Sequence, residues 1–313
     1  MSILVCGSMA YDNIMVFGDR FKNHILPEQI HILNVSFLVP ELRRDFGGCA
    51  GNIAYNLNLL GADALIVATV GDDAADYRRR LDHLGLRQDF VRHVPGTYTA
   101  QAFITTDADD NQITAFHPGA MMYSHENDVR KATDAQLGIV SPDGRDGMLR
   151  HVEGFAEIGV PCMFDPGQAL PILSADELLH CLKLARYCTV NDYEARLMCD
   201  KTGRSIEELA AMVDALVVTL GGEGSHIYTG GQRLEVPIVK AEALVDPTGC
   251  GDAYRAGLLY GIANGLDWLT CGRLAATMGA IKIGHRGGQN HHPSRREIEA
   301  FYRATFGDSP FGG

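Results

Sequence analysis

The part of the chain best suited to chemistry is "VDPTGCGDAYRAG", residues 245–257, in which glycines surround the single carboxylate of Asp252. Gly249, Cys250 and Gly251 precede a segment typical of a helix start, where free backbone N–H groups and the helix dipole attract anions. A P-loop would continue with Lys-Ser or Lys-Thr, and this stretch does not. It therefore predicts a phosphate site made of backbone amides, with Asp252 placed to deprotonate an attacking hydroxyl. An ordinary helix start, stabilised by the acid in its first turn, explains the same residues.

Four further motifs carry residue types that bind hydroxyls or nucleotides. In chain order they are "GSMAYD" (7–12), "GGCAGNIAYNLNLLGA" (47–62), "NDYE" (191–194) and "TLGGEGSH" (219–226). Together with "DPTGCGD", they resemble the signatures of the ribokinase (PfkB) family of carbohydrate and nucleoside kinases, in the family's order. The resemblance extends from residue 7 to about residue 290. It implies a ribokinase-like α/β fold and transfer of a phosphoryl group from ATP to an alcohol group.

The resemblance also implies roles at the acceptor site. Asp12 and Asn52 would hydrogen-bond substrate hydroxyls, and Gly47 and Gly48 would let the substrate approach the backbone closely. A helix-entry turn and a solvated strand end are the plain alternatives for the glycine pair and for Asp12. Asp252 would be the general base, while the amides of residues 249–251 hold the charge that develops on the transferred group.

The ATP site is implied by the two later motifs. Asn191 and Glu194 are three residues apart, so on a helix they would share one face and could hold the hydrated Mg²⁺ that accompanies ATP. Thr219, Gly221 and Gly224 resemble the family's phosphate and ribose contacts. An ordinary helix start and a tight strand turn are the alternatives for these two motifs.

A monovalent cation, K⁺, is also implied by the resemblance. Asp246 resembles the acid that helps to bind it, with carbonyls around Thr248 and Gly287 as further ligands. The loop "GHRGGQNHH" is larger and more charged than the family's corresponding loop. We expect His291 and His292 to be surface or loop residues and not metal ligands.

The segments "ITTDADDNQITAFHPGAM" and "FDPGQALP" resemble the prokaryotic adenosine and nucleoside kinase branch more than ribokinase or fructokinase. Phe116, Phe103 and Tyr98 offer aromatic faces for stacking a base, although aromatic residues in strands also pack the core of their own sheet. We therefore predict phosphorylation of a nucleoside 5'-hydroxyl by an adenosine or broad-specificity nucleoside kinase. The alternatives are a sugar kinase for ribose, fructose or a keto-deoxy sugar acid, and a nucleoside-binding protein without turnover.

Apolar patterns indicate the elements that hold these residues. From residue 46 onward, short β-branched runs alternate with helical periodicity, which predicts a mainly parallel sheet flanked by helices. The central strands are expected at 64–70, 161–165, 187–190 and 215–220. Capping-box spacing predicts helix starts at Ser174, Ser205 and Ser294.

Two segments, 13–45 and 96–119, alternate with period 2 and are expected to form a small β layer, the second as a hairpin about "DADDN". In the family such a layer is a lid that closes over the substrate and excludes water. We thus expect a single ribokinase-like kinase domain over residues 1–313, with a lid formed by these two segments.

Composition limits the classes of partner. The 313 residues carry a formal net charge of −12 and no long run of Lys or Arg, so we expect small-molecule substrates and no nucleic acid. The eight cysteines form no C-x-x-C pair, and this cysteine usage is typical of proteins in a reducing cytosol. No apolar run approaches the roughly 18 to 20 residues of a membrane span, and the N-terminus lacks signal-peptide features. We expect a soluble, cytoplasmic protein that does not bind membranes and that could form a homodimer through lid strand edges.

Overall fold

The computed structural model describes residues 2–25, 34–109 and 111–311. The strands in these ranges are β1 Ser2–Cys6, β2 Ala10–Val16, β3 Glu41–Gly47, β4 Asp63–Val70, β5 Arg87–His93, β6 Ala100–Thr106, β7 Gln112–His117, β8 Ala135–Val140, β9 Cys162–Phe164, β10 Tyr187–Asn191, β11 Ala215–Thr219, β12 Ser225–Thr229 and β13 Gln232–Val236. The α-helices are α1 Cys49–Leu59, α2 Ala75–Leu84, α3 Arg145–Glu157, α4 Ala175–Leu184, α5 Asp192–Thr202, α6 Ile206–Ala210, α7 Cys250–Ala263, α8 Trp268–Ile283 and α9 Arg295–Phe306.

The larger sheet has nine strands in the order β13-β12-β11-β10-β9-β8-β1-β4-β5. The pairs from β11 to β5 are parallel, and β12 and β13 add an antiparallel edge. Side chains alternate between the two faces, so Ile3 and Val5 join one apolar cluster while Leu4 and Cys6 join the other. Helices α1, α2, α7, α8 and α9 cover the first face, and α3 to α6 cover the second. The predicted α/β class with a mainly parallel sheet is confirmed.

The expected strands and helix starts are present. The four central strands lie within two residues of their predicted bounds, and Ser174, Ser205 and Ser294 each form a capping box. Among the strands of the larger sheet after residue 46, the apolar patterns missed β5, β8, β12 and β13. Charged residues dilute the apolar signal of β5, and Gln136 and Gly138 interrupt that of β8. In the structure Gly138 leaves room for the ring of Phe155 from α3, which the local sequence does not reveal.

A separate four-stranded sheet has the order β3-β2-β6-β7. Its central pair, β2 and β6, is parallel, and β3 and β7 add antiparallel edges. The sheet begins at Ala10, so Asp12 lies within it and not at the end of a strand of the larger sheet. Residues 26–33 of the expected lid segment and Asp110 of the expected hairpin turn lie outside the described residues. None of the described helices is both long and apolar enough to cross a bilayer.

Candidate active site

The glycine turn forms the start of α7, at the carboxyl edge of the larger sheet. Gly249 is the N-cap residue with φ of 76°, a conformation that residues with a Cβ rarely adopt. The N–H groups of Gly249, Gly251 and Asp252 donate to no acceptor within the described ranges, whereas that of Cys250 donates to the Pro247 carbonyl over 3.1 Å. The expectation that the Cys250 amide serves the anion site is wrong for this conformation, because a turn hydrogen bond already uses it. The other three amides and the positive end of the helix dipole form a group suited to holding an anion, called here the anion hole.

Asp252 lies in the first turn of α7, beside this anion hole. Asn52 donates from Nδ2 to its Oδ2 over 2.8 Å. Burial raises the pKa of Asp252, and the Arg255 charge and the Asn52 hydrogen bond oppose that rise. A carboxylate in this position has both the basicity and the orientation that proton abstraction from a hydroxyl requires.

Arg255 is held by Asp165, which directly follows β9. Its Nη2 donates to Asp165 Oδ1 over 2.8 Å and its Nε lies against Oδ2, while the two side chains are only 11% and 1% exposed. A Cβ built on Gly251 would lie 2.6 Å from Nη1 of Arg255, so the guanidinium borders the anion hole. The ion-pair partner of Arg255 is thus a carboxylate on another element, Asp165. Sequence reasoning missed Asp165, although an acid directly after a buried strand of a parallel sheet is a usable signal.

Asn52 is positioned by contacts from three parts of the chain. Gly48 is the N-cap of α1 with φ of 86°, and a Cβ there would come within 2.5 Å of the Ser8 carbonyl oxygen. One turn later, the buried Asn52 accepts from Gln289 Nε2 over 3.1 Å while it donates to Asp252. Gln289 also bonds the Tyr77 hydroxyl over 2.7 Å. Sequence reasoning missed Gln289 because it lies in an irregular segment, without periodicity to mark it.

Asp12 and Phe116 lie on one face of the small sheet. The register aligns Asp12 with Asp45 and Ala102, and Ala102 with Phe116, so these side chains share a face. Gly47 lies directly against the Asp12 carboxylate. Burial and the charges of neighbouring acids, Asp45 first, raise the pKa of Asp12 to about 6.

The other aromatic candidates differ from Phe116. Phe103 aligns with Asn13 and therefore lies on the face opposite Asp12. If Asp12 binds the substrate, Phe103 therefore faces away from it. Tyr98 precedes β6, is 63% exposed, and contacts His117 edge-on.

The predicted nucleotide residues converge at the ends of adjacent strands. Asn191 and Thr219 are register partners at the ends of β10 and β11, and the turn with Gly221 and Gly224, both at positive φ, follows β11. Asn191 is the N-cap of α5 and forms a capping box with Glu194, with hydrogen bonds of 2.8 and 2.7 Å. The two residues therefore lie together at the helix start, as the three-residue spacing predicts, but Asn191 is the N-cap residue and not part of the helix itself.

Glu194 uses only one carboxylate oxygen in that capping box. Its Oε2 accepts the Asn191 N–H, and Oε1 has no hydrogen-bond donor in the part of the chain that the structure describes. The side chain is largely buried, which raises the pKa of Glu194. No cluster of three or more metal-ligating His, Cys, Asp or Glu side chains occurs among the described residues.

Asp246 differs most from its expected surroundings. Its two carboxylate oxygens accept the N–H groups of Thr248, over 2.9 Å, and Gly287, over 2.8 Å. Although burial acts in the opposite direction, these hydrogen bonds hold the pKa of Asp246 below its usual value. The Asp246 carboxylate, expected to face a cation, is therefore already satisfied by two backbone amide donors. Two carbonyls nearby, those of Asp246 and His285, bind the ammonium group of Lys282.

The two histidines of the same segment serve the core. His291 is fully buried, with Nε2 2.7 Å from Asn56 Oδ1, and burial lowers its pKa to about 3. His292 has Nδ1 2.7 Å from the Tyr55 hydroxyl. His291 lies in a loop, one of the two expected locations, but it is buried and not exposed, because a neutral imidazole with a buried amide partner can lie in the interior.

Comparison with protein families agrees with the resemblance seen in the motifs. The family model described as "pfkB family carbohydrate kinase" matches residues 12–295. The nucleoside kinase of Methanocaldococcus jannaschii is 32% identical over 263 residues, which cover 83% of this chain and 86% of that protein.

Solved structures agree over almost the whole chain. The nucleoside kinase of Burkholderia thailandensis in complex with inosine is 55% identical, with a TM-score of 0.91, covering 99% of this chain and 100% of that one. Its structure described as an ADP-inosine complex is 56% identical, with a TM-score of 0.88, covering 99% and 98% of the two chains. The ribokinase-like fold with its separate small sheet is confirmed.

Proposed function

Because this chain belongs to the pfkB family of carbohydrate kinases, we propose that it is a nucleoside kinase that transfers the γ-phosphoryl group of ATP to a nucleoside 5'-hydroxyl. The observation that carries the proposal is the likeness to a nucleoside kinase solved with inosine, at 55% identity over 99% of the chain. The proposal is supported by the hydroxyl-binding side chains of Asp12 and Asn52 and by the hydrogen bond between Asn52 and Asp252.

In the proposed reaction, Asp252 accepts the proton of the 5'-hydroxyl while the oxygen of that hydroxyl forms a bond to the γ-phosphorus. The bond from that phosphorus to the oxygen bridging to the β-phosphate breaks, and ADP leaves. The amides of Gly249, Gly251 and Asp252 stabilise the charge on the transferred group, and Arg255 adds a fixed positive charge at the same place. Oriented donors of this kind need no reorganisation when the charge develops.

The acceptor site is proposed between the small sheet and the start of α1. The carboxylate of Asp12 and the amide of Asn52 would bond the ribose hydroxyls, beside Gly47 and Gly48. Phe116 would stack on the base, because it lies on the same sheet face as Asp12. The small sheet, with the two segments predicted for it, would act as a lid that excludes water from the reaction.

The donor site is proposed at the ends of β10 and β11. Thr219, Gly221 and Gly224 would contact ATP, and Glu194, with Asn191, would hold Mg²⁺ through water, in keeping with its free oxygen Oε1. Mg²⁺ supplies charge neutralisation at the phosphates when bound. The surroundings of Asp246 do not fit K⁺, since its carboxylate is bonded to two amides and Lys282 occupies the nearby carbonyls.

A homodimer through the small sheet is also proposed. Strand β7 is the outer edge of that sheet and is exposed at every residue, including Ile113 at 44%. Exposed apolar edge strands are common sites of pairing between chains. Ile113→Lys should convert the dimer to a monomer in light scattering, and a wild-type protein that is monomeric would remove this proposal.

The test of the proposed function is a panel of acceptors with purified protein and Mg-ATP. Inosine, adenosine, guanosine, cytidine, ribose and fructose are each supplied, and ADP release is measured. Nucleosides should be phosphorylated, and 5'-deoxyinosine should not. Phosphorylation of the free sugars alone would overturn the nucleoside assignment, and binding of inosine without any turnover would overturn catalysis.

A further inference from the structure

Lys282, near the end of α8, is a fully buried lysine with an unusual set of partners. Its Nζ donates to the backbone carbonyls of Asp246 and His285, each over 2.8 Å, and its exposed fraction is 0%. It forms no salt bridge to a carboxylate within the described residues. Buried lysines are rare unless their charge is compensated. Here the compensation comes from backbone carbonyl oxygens, which are also typical ligands of a bare monovalent cation.

The two carbonyls belong to two different segments, which Lys282 joins next to the glycine turn. Asp246 begins the turn that leads through Gly249 into α7, and His285 belongs to the loop after α8. The N–H groups of Val245 and Asp246 also donate to the Ile283 carbonyl, over 2.9 and 3.1 Å. The ammonium group and these backbone hydrogen bonds together hold the start of the glycine turn against the end of α8.

We infer that the ammonium group of Lys282 takes the place of the monovalent cation that the family resemblance implies near Asp246, so that this protein orders its anion hole without K⁺. The inference rests on the proposed function only in taking this turn as the phosphate-binding element. An ammonium ion and K⁺ are alike in charge and close in size, and a tethered one is present at every ion concentration. Its charge also opposes the burial that raises the pKa of Asp252.

The first experiment compares the wild-type protein in KCl and in choline chloride at equal ionic strength. The measured quantities are the thermal unfolding temperature and the affinity for the β,γ-imido analogue of ATP, by calorimetry. Both should be the same in the two salts. A higher unfolding temperature or a tighter affinity in KCl alone would overturn the inference, because an intact Lys282 leaves no place for K⁺.

The second experiment removes the ammonium in two ways. Lys282→Ala leaves the carbonyls of Asp246 and His285 facing an opened space, and should lower the unfolding temperature by about 5 °C or more and weaken analogue binding about tenfold. KCl or methylammonium chloride, but not choline chloride, should restore part of the unfolding temperature and part of the analogue affinity.

Lys282→Met fills the space with an uncharged side chain, so this variant should lose analogue affinity, and K⁺ should not restore it. Unchanged affinity in both variants would overturn the inference, as would an alanine variant that folds but ignores K⁺ and methylammonium. If the alanine variant does not fold, Lys282→Met decides through its affinity.

Lys201 offers a matched control. Its Nζ also binds backbone carbonyls, those of Leu170, Pro171 and Leu173 at 2.8, 3.0 and 2.7 Å, and none of these belongs to the glycine turn. Lys201→Met should lower the unfolding temperature but leave analogue affinity unchanged in either salt. Equal losses of affinity in both methionine variants would show that Lys282 stabilises only the fold in general and not the glycine turn in particular, which would overturn the inference. Failure of nucleoside phosphorylation would be a separate result, because no measurement here uses turnover.

Discussion

The glycine turn of the larger sheet and the small sheet both carry proposed site residues, but they hold them differently. At the turn, Asp252, Arg255 and Lys282 each have a fixed partner on another element, and the two cations are almost or fully buried. On the small sheet, Phe116 is 51% exposed and the whole of β7 is open to solvent. Side chains that stabilise a transition state need fixed geometry, whereas a surface that closes over a ligand must remain free to move.

This contrast assigns different kinetic effects to the two regions. Changes at the turn should lower kcat, because its charges act on the reacting atoms. Changes on the small sheet should raise KM, because its contacts act on parts of the substrate that do not react. Four substitutions test this division, in decreasing order of expected effect.

Asp252→Asn should lower kcat about 10² to 10⁴-fold, the range for loss of a positioned general base. The amide can still accept the hydrogen bond from Asn52, so inosine and ATP-analogue affinities should change little. Rapid-quench turnover and calorimetry measure the two effects. A variant with near wild-type kcat would remove Asp252 from the role of base.

Arg255→Met should lower kcat about 10²-fold, the scale of losing one charge-stabilising donor. Arg255 opposes the rise in the Asp252 pKa, so its loss should raise that pKa further. Since the base must be ionised, activity is lost as the pH falls through its pKa, and the acid limb of the pH profile should move to higher pH. Arg255→Lys should move it less.

Two further variants separate this effect from folding. Combining Arg255→Met with Asp165→Asn removes both buried charges and should restore stability without restoring kcat. Arg186→Met breaks an exposed ion pair with Asp214, 2.6 Å long, and should leave the pH profile unchanged. An unmoved acid limb in Arg255→Met would show that this guanidinium does not act on Asp252.

Asp12→Asn should raise KM for inosine about tenfold, by weakening a hydrogen bond to a charged group, with little change in kcat. It should also stabilise the protein at neutral pH. The pKa of Asp12 is raised from 3.8 to about 6 in the folded state, so its contribution to stability is present at low pH and is lost as the pH rises through about 6. Melting curves should show an unfolding temperature about 3 °C higher for the variant at neutral pH, and the difference should shrink below about pH 6. A lower unfolding temperature at neutral pH would contradict this.

Phe116→Ala should raise KM for inosine about fivefold, the size of one aromatic contact. Phe103→Ala is the matched control. Phe103 lies in β6, next to the strand of Phe116, and is 41% exposed, but its side chain is on the opposite face of the small sheet. Steady-state kinetics of both variants with inosine and with ribose measure the effect. Equal changes in the two variants would exclude stacking on Phe116.

Local patterns were sufficient for much of the fold. Strands such as β4 and β11 are short apolar runs, and Ser174 with Glu177 begins a helix by bonds between near neighbours. Such signals depend on spacing alone, so they can be identified in one sequence. Strand β5 could not be identified in this way because its edge position allows polar residues.

The site was predictable to a smaller extent. The glycine turn, Asp252 and the motif order identified the chemistry, and the family model over residues 12–295 confirmed the resemblance. Partnerships across the chain were not predictable. Arg255 and Asp165 are separated by 90 positions, and Asn52 and Asp252 by 200, so no spacing rule joins them.

By itself, the sequence determined the family, the α/β class and a glycine turn with an acid inside it at a helix start, because these depend on neighbouring residues and their order. Only the tertiary structure decided which groups are hydrogen-bonded to each other. In it the Cys250 amide donates to the Pro247 carbonyl, Arg255 pairs with Asp165, and the ammonium of Lys282 binds the carbonyl of Asp246, 36 positions away. The physical reason is that a buried charge needs hydrogen-bond partners, and tertiary packing decides which groups lie close enough to supply them.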